Sequence, residues 1–393
     1  MPSDLSYWLI SVPLQDHDPH RMMTELSKTL MKDGGAASSD IGLLTLPPLK
    51  TGTLDSLITL SDELPKLDAS FTGIVAKIVD TLRALLNNDE DALAQHVLVN
   101  EQEIDRYMLG WSWNGSKYRT DRSLRDILDT LQKEITSIDN VMKTKLNNYN
   151  LAKGQLQQLQ RKKTGNLSVK SLADVVHKED FADLGSEYLE TLLVAVPKNN
   201  LKDWQAKYER LTSMVVPRSS RKIAADDEFA LVNVTVFKKV KEEFLQKCRE
   251  NKFVVRDFQW DDQIVEKQRQ ELEEAGVSEK ELWTELLRLA RTNFSEAYQA
   301  LAHLKVVRTF VESVLRFGLP ADYFGVAVKP NAKRSKALLG ALNAHYAYLA
   351  RFEGGGKGGK SGAIEGDVPG EWSNVAEAEL LPYVLSEQFM VAA

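Results

Sequence analysis

The chain has 393 residues, of which 43% are hydrophobic and 27% are charged, with 22 glycines and a single cysteine. These proportions exclude an intrinsically disordered chain, a collagen-like repeat and a scaffold held by disulfides. The net charge of −6 excludes the strongly basic surface that coats nucleic acid or anionic lipid, so we expect no nucleic acid partner.

The hydropathy of the chain gives no membrane-spanning helix, which needs roughly 18 consecutive apolar residues. The nearest segment, 337–350, is short and contains Asn343 and His345. The first residues, MPSDLSYWLISVP, lack the basic region that precedes the apolar part of a secretory signal. We therefore expect a cytoplasmic protein without direct membrane insertion.

The amino-terminal part mixes strands and helices. Alternating or continuous apolar residues predict strands over 7–13 and 40–47 around a helix over 22–32, and two helical runs follow at 54–64 and 71–86.

A long helical segment begins near Thr120. Apolar residues recur there every seven positions, at Leu128, Ile135, Met142, Tyr149 and Leu156. This heptad pattern predicts a helix over 121–163 that would be about 64 Å long and would need a partner helix.

The only comparable segment begins at Ile264 and keeps three-and-four spacing until Gly318 and Pro320, which are typical of a helix end. Two long helices far apart in sequence most simply pair antiparallel. The alternative is two separate helical bundles, in which Gly154 and Gly276 each end a helix earlier.

The insert between the long helices returns to strand patterns. Strands are predicted at 188–197, 229–237 and 253–260, and helices at 200–213 and 238–251. We expect a mostly antiparallel sheet with helices on one face. Cys248 falls on the apolar face of the second helix, where a buried thiol is favoured over a reactive one.

After the second long helix, the sequence predicts a strand at 323–328, a helix at 332–351 and a final strand at 382–391. Both termini should then share one sheet. The predicted fold class is α+β, an elongated dumbbell whose two globular ends are joined by a long antiparallel two-helix neck. Its parts are a foot (1–120 with 320–393), a neck (121–164 with 263–319) and a head (165–262).

One motif suggests nucleotide chemistry. Gly354, Gly359, Lys360 and Ser361 have the spacing of a phosphate-binding P-loop. A working P-loop follows a β-strand and precedes an α-helix. Here a helical pattern precedes the loop, and the non-helical sequence AIEGDVPGE follows it. Because eight of the residues from 353 to 370 are glycine, a surface linker is favoured.

Other catalytic patterns are missing from the sequence. The six histidines and one cysteine show no metal-ligand spacing, and there is no GxSxG nucleophile motif. We therefore predict no catalytic residues, no metal site, no cofactor and no enzymatic activity of the chain itself.

The head carries the candidate contact residues for a partner. A basic, hydroxyl-bearing turn contains Arg218, Ser219, Ser220, Arg221 and Lys222, which could hold an anion or accept a phosphate. The alternative, a solvent-facing hairpin turn without such a role, remains open. The apolar face of the preceding helix adds two aromatic candidates, which are Trp204 and Tyr208.

Long strings of residues carry a resemblance to one family. YWLISVP, SEYLETLLVAVPK, MVVPRSS, RENKFVVRDFQW, NFSEAYQALAHLKVVRTFVESVLRFGLP and LPYV are similar to the C subunit of V-type proton ATPases (vacuolar H+-ATPases), in the same order from Tyr7 to Val384. Departures from animal relatives lie in 353–370 and 263–281.

The resemblance implies a role and partners. In that family the head docks on a peripheral stalk formed by a heterodimer of the E and G subunits. The foot meets a second such stalk and the cytosolic amino-terminal domain of the membrane a subunit. The resemblance further implies a non-catalytic stator on the cytosolic face of vacuolar and other endomembranes that leaves when the pump disassembles. An actin-binding or cytoskeletal linker is the alternative.

Overall fold

The computed structural model describes residues 2–3, 5–14, 18–172, 175–181, 186–258, 264–331, 333–350 and 381–391. The chain divides into two compact units, each of which is defined by the contacts among its own residues. The first unit contains residues 1–144 and 285–393, and the second contains residues 145–284. The three-part division into foot, neck and head stays a prediction.

The described chain mixes helices and antiparallel strands, which confirms the α+β class. Its α-helices are α1 (Pro19–Thr29), α2 (Leu54–Leu85), α3 (Glu90–His96), α4 (Ile104–Leu109), α5 (Leu124–Thr164), α6 (Leu201–Lys207), α7 (Lys241–Glu250), α8 (Ile264–Phe317), α9 (Ser335–His345) and α10 (Ala347–Ala350). Its strands are β1 (Ser6–Pro13), β2 (Ile41–Leu44), β3 (Leu98–Val99), β4 (Gln102–Glu103), β5 (Leu189–Pro197), β6 (Arg221–Ala225), β7 (Phe229–Phe237), β8 (Val254–Arg256), β9 (Tyr323–Val328) and β10 (Val384–Phe389).

The first unit is built on an antiparallel sheet with strand order β10-β1-β9-β2. Because β1 and β10 are neighbours, the prediction that both termini share one sheet is confirmed. Trp8, Ile10 and Val12 alternate along β1 toward a core that α1 and α9 help to form. On the other face, the Ser313 hydroxyl of α8 donates a hydrogen bond to the Ser11 hydroxyl at 2.8 Å.

The helix α2 is longer than the sequence indicated. Two separate runs were expected, but a single helix continues through Pro65. Leu64, Asp68 and Phe71 lie on one face of it and are all buried. This packing offsets the loss of the backbone hydrogen bond that proline removes. Because the packing is tertiary, the helix propensities of the local sequence do not show it.

The two long helices are both present. α5 contains 41 residues and α8 contains 54, and neither ends at Gly154 or Gly276. The alternative in which those glycines end the helices is therefore wrong. Of the heptad positions of α5 that were predicted to face a partner, Leu128, Ile135, Met142 and Tyr149 are buried, whereas Leu156 is only half-buried.

The second unit contains an antiparallel sheet of order β6-β7-β5-β8, with β5 and β7 in its centre. One face packs against α6 and α7 through Trp204, Phe244 and Cys248. The opposite face is covered by Leu167, Leu172 and Val176. Helices on one face were predicted correctly, whereas the cover of the other face was not foreseen.

The buried thiol of Cys248 is confirmed. It has no exposed surface, and burial raises its pKa to about 12. A thiol with so high a pKa is a poor nucleophile at neutral pH.

Candidate docking surface of the second unit

The predicted basic turn lies along the outer edge of the sheet. Val215 pairs with Val236, and the Val216 N–H donates to the Thr235 carbonyl at 3.0 Å. After the turn, Arg221 in β6 pairs with Asn233. Both flanks therefore pair with the same edge of β7, one after the other. A hairpin needs its flanks to pair with each other, so this turn is not a hairpin. Its role in binding an anion or a partner stays a prediction.

The two serines hold the turn in place. The Ser219 hydroxyl donates to the Val216 carbonyl at 2.7 Å and accepts from the Thr235 N–H at 3.2 Å. The Ser220 hydroxyl accepts a hydrogen bond from the indole of Trp204 at 3.0 Å. Both hydroxyls are engaged within the unit, so their first role is to shape the turn.

The two predicted aromatic contacts lie beneath the turn. Trp204 has no exposed surface and Tyr208 is 7% exposed, and their rings stack with centroids 5.7 Å apart. The expectation that Trp204 contacts a partner directly is therefore wrong. Its amphipathic spacing marked a core face, and the core is where the structure places it.

A carboxylate ties the turn to the helical side. Arg218 has a φ of 58°, and its N–H donates to Glu209 Oε1 at 2.9 Å. The Tyr208 hydroxyl donates to the same oxygen, also at 2.9 Å. The Arg218 N–H first, and then the Tyr208 hydroxyl, lower the pKa of Glu209, so this residue stays ionised near neutral pH.

The cationic side chains of the turn point to solvent. Arg218, Arg221 and Lys222 are exposed, and none forms an ion pair with another described residue. Three unpaired cations on one sheet edge give a local positive field that favours an anionic or acidic partner surface.

Sequence reasoning missed an apolar neighbour of this turn. The Phe237 N–H donates to the Met214 carbonyl at 3.2 Å, so the two residues sit side by side at the end of β7. Met214 is 41% exposed and Phe237 is 39% exposed. The alternation of β7 carried no signal for this exposure, because Thr235 and Leu231, on the same face of the strand as Phe237, are buried. Cations beside exposed apolar side chains form what we call the β6-edge surface: Met214, Arg218, Arg221, Lys222 and Phe237.

The described part of the chain holds neither a metal cluster nor a membrane-spanning helix. No group of three or more His, Cys, Asp and Glu side chains there could hold a metal ion. None of its helices is long and apolar enough to cross a membrane. The P-loop-like glycines and Lys360 lie outside the described residues.

Comparison with known proteins decides the family. Residues 7–384 match the family of V-ATPase C subunits. The chain belongs to this family. The V-type proton ATPase C 1 subunits of Xenopus laevis and of Bos taurus are each 39% identical over 380 residues, which cover 96% of this chain and 96% of the relative.

A further relative and one solved structure complete the comparison. The V-type proton ATPase C 1-B subunit of Danio rerio is 38% identical over 385 residues, with the same 96% coverage of both chains. A crystal structure of the cytoplasmic N-terminal domain of the I subunit, a homologue of the a subunit of V-ATPase, aligns with 87% of this chain and 97% of that chain. Its TM-score is 0.34 and its sequence identity is 14%.

As a member of this family, the chain is a component of a proton-transporting ATPase. The resemblance that the sequence strings predicted is therefore confirmed, and it spans almost the whole chain.

Proposed function

We propose that this chain is a non-catalytic stator of the cytosolic, ATP-hydrolysing sector of a V-type proton ATPase. It bridges peripheral stalks, which are heterodimers of the E and G subunits, and the cytosolic amino-terminal domain of the membrane a subunit. The observation that carries the proposal is 39% identity to a C 1 subunit over 96% of both chains.

The long helices support a mechanical role. A rotary pump exerts a reaction torque on its catalytic ring, so the ring must be braced against the membrane sector. Helices of 41 and 54 residues correspond to about 60 Å and about 80 Å of continuous backbone. We propose that they pair as the antiparallel neck of a dumbbell, with a foot and a head at its two ends.

Ion pairs within the first unit support the side-by-side placement of the two helices. The Lys117 ammonium pairs with Glu134 of α5 and lies 3.6 Å from a carboxylate oxygen of Glu296 of α8. The Tyr118 hydroxyl donates to Glu134 at 2.7 Å. One loop thus contacts both long helices at the same level.

The β6-edge surface supports the docking role assigned to the head. Its unpaired cations suit an acidic patch on a stalk protein, and Met214 and Phe237 supply apolar area beside them. Several modest contacts of this kind suit a component that is released on demand, since losing one linked contact lowers the effective concentration for the others. We propose that reversible assembly of the pump uses this property.

The location follows from the same role. A stator component that binds its partners through surface contacts is cytoplasmic when free and peripheral on the cytosolic face of vacuolar and other endomembranes when assembled.

A binding experiment with purified stalk tests the docking role. Lys222→Glu should weaken binding of the full chain to an E–G heterodimer by about tenfold, because it reverses one exposed cation of the β6-edge surface. Lys202→Glu, which reverses an exposed lysine on α6, is the matched control and should bind like the wild type. Equal affinity of both variants would show that this surface is not the contact.

The same purified chain can be used to test the alternative function, an actin-binding or cytoskeletal linker. If it sediments with actin filaments at physiological salt but does not bind the stalk heterodimer, the cytoskeletal linker replaces the stator proposal.

A further inference from the structure

The sheet of the second unit has a second open edge, opposite the β6-edge surface. The strand order β6-β7-β5-β8 makes β8 the outermost strand on that side. β8 pairs with β5 through Val254, Val255 and Arg256, and no other described strand pairs with it. In an antiparallel pair, alternate N–H and C=O groups face away from the neighbour. The outer side of β8 therefore presents backbone donors and acceptors that have no strand partner among the described residues.

A groove runs beside this edge. It has a volume of about 360 Å³ and is bounded by Leu245 and Arg249 of α7, by Lys252 and Phe253 of the following turn, and by Val254 and Val255 of β8. Phe253 is buried, whereas Val254 is 39% exposed. An open strand edge beside a helix, with an apolar pocket between them, is the arrangement in which an extended peptide adds a strand to a sheet.

The charge around the groove indicates what could enter it. Arg249 and Lys252 are both exposed, and neither forms an ion pair with another described residue. The turn fixes the position of the second cation, since the Lys252 N–H donates to the Arg249 carbonyl at 3.1 Å and the Phe253 N–H donates to the Cys248 carbonyl at 2.9 Å. Two exposed cations on a backbone that is held in place, at one end of an apolar groove, favour carboxylates on the occupant.

We propose that the β8–α7 groove binds an extended segment of a partner protein, which adds a strand to β8. The segment directs apolar side chains into the pocket formed by Leu245, Phe253 and Val255 and carries carboxylates toward Arg249 and Lys252. This site is separate from the β6-edge surface, so it gives the second unit two docking edges on one sheet.

Synthetic peptides test the proposal with the full chain. The first probe is an eight-residue peptide that alternates valine or threonine with glutamate. The second replaces each glutamate by lysine, and the third is the acidic peptide with alternate backbone nitrogens methylated. The acidic peptide should bind saturably and slow amide hydrogen exchange at 254–256. The other two should bind at least about tenfold more weakly, because one reverses the charge and the other removes the strand hydrogen bonds.

Protein variants locate the binding. Arg249→Glu combined with Lys252→Glu should reverse the preference toward the lysine peptide. Lys202→Glu, at an exposed lysine of α6 that belongs to neither edge, is the control and should leave binding of the acidic peptide unchanged. Arg221→Glu combined with Lys222→Glu tests the opposite edge. Loss of binding in that variant but not in Arg249→Glu with Lys252→Glu would place the peptide on the β6 edge and overturn the proposal.

Two further outcomes would also overturn it. If backbone methylation of the peptide has no effect, the peptide does not bind as an added strand. If the chain dimerises as its concentration rises and the dimer itself protects 254–256 from exchange, a second copy of the chain occupies the groove.

Discussion

Asp68 and Lys305 form a buried ion pair between α2 and α8, with the Lys305 ammonium 2.7 Å from the Asp68 carboxylate. The two residues are 237 positions apart in sequence, and each side chain is 8% exposed. Arg308 donates a second hydrogen bond to Asp68 at 2.6 Å. Burial lowers the pKa of Lys305, and the charge of Asp68 opposes that shift. The pair therefore ties two distant helices of the first unit together.

Removing the carboxylate should destabilise the first unit. Asp68→Ala leaves Lys305 buried without its anionic partner, which typically costs about 3 to 5 kcal/mol. Thermal unfolding should occur at a lower temperature, with faster hydrogen exchange in α2 and α8. Asp129→Ala is the control, because it removes an exposed pair with Arg125 that contributes roughly 0 to 1 kcal/mol. Equal stability of the two variants would contradict the role given to Asp68.

A buried histidine should make the first unit sensitive to acid. His303 is enclosed by the rings of Trp111, Trp113 and Tyr118, with centroids 4.7 to 5.2 Å away. Its Nε2 accepts from the Asn114 N–H at 3.1 Å, and its Nδ1 is 2.7 Å from the Gln299 carbonyl. Because a carbonyl only accepts and an N–H only donates, the ring is neutral with its proton on Nδ1.

The pH dependence follows from the pKa of that ring. Burial lowers the pKa of His303 from 6.5 to about 4. Between these values the unfolded chain binds the proton and the folded chain does not. Stability is therefore retained above pH 6.5 and is lost progressively as the pH falls to about 4, by about 3 kcal/mol in total.

His303→Gln isolates this contribution, since glutamine does not titrate. The difference in unfolding free energy between wild type and variant should shrink from pH 7 to pH 5, measured by denaturant unfolding at both values. A difference that is the same at both pH values would contradict the assignment of a buried neutral ring.

The heptad seam of α5 provides a mechanical prediction. Ile135 is 1% exposed and Ile138 is 8% exposed. Each truncation to alanine should cost about 2 to 5 kcal/mol. The double variant should still assemble into the pump, because its docking ends are unchanged, but it should pump fewer protons per ATP or lose the cytosolic sector more readily. Faster hydrogen exchange in α5 checks that the helix is loosened.

Exposed neighbours on the same helix are the controls. Lys133→Ala and Thr136→Ala should stay within about 0.5 kcal/mol of the wild type and should pump normally. Wild-type pumping and complex stability in the loosened double variant would refute the importance of stiffness. A failure to assemble would point instead to partner contacts along α5.

Repeating patterns predicted much of this fold. The heptads of α5 report a face that is buried at Leu128, Ile135, Met142 and Tyr149. The apolar patterns of β1 and β7 located the strands, but both faces of each strand are buried, which the patterns did not show. The continuous helix through Pro65 was not predictable in this way, because the packing that supports it comes from distant segments. The Asp68–Lys305 pair could not be predicted either, because nothing in the sequence around Asp68 or around Lys305 relates the two residues.

The docking surface shows the same division. The cationic turn could be found from its composition, and its exposure is as expected. The hairpin was wrong because turn-forming residues report a change of direction and do not report which strand the flanks pair with. Trp204 was predicted to contact a partner for a related reason. The spacing of apolar residues along a helix is the same whether that face packs against the core or against a partner protein.

The dumbbell remains a prediction about shape, and small-angle scattering of the purified chain tests it. A compact chain of this length should have a radius of gyration of about 21 Å. The neck-and-two-ends arrangement predicts a clearly larger value, and a measurement near 21 Å would contradict it.

The central claim is that this C subunit braces the pump by holding the stalks. Cross-linking with mass spectrometry on the assembled, membrane-bound complex tests it most directly. We predict cross-links from lysines of the second unit, Lys222 among them, to the E and G subunits. Lysines of the first unit should cross-link to another E–G pair and to the cytosolic domain of the membrane a subunit. Cross-links confined to the catalytic ring, with none to the stalks or to the a subunit, would contradict the stator account.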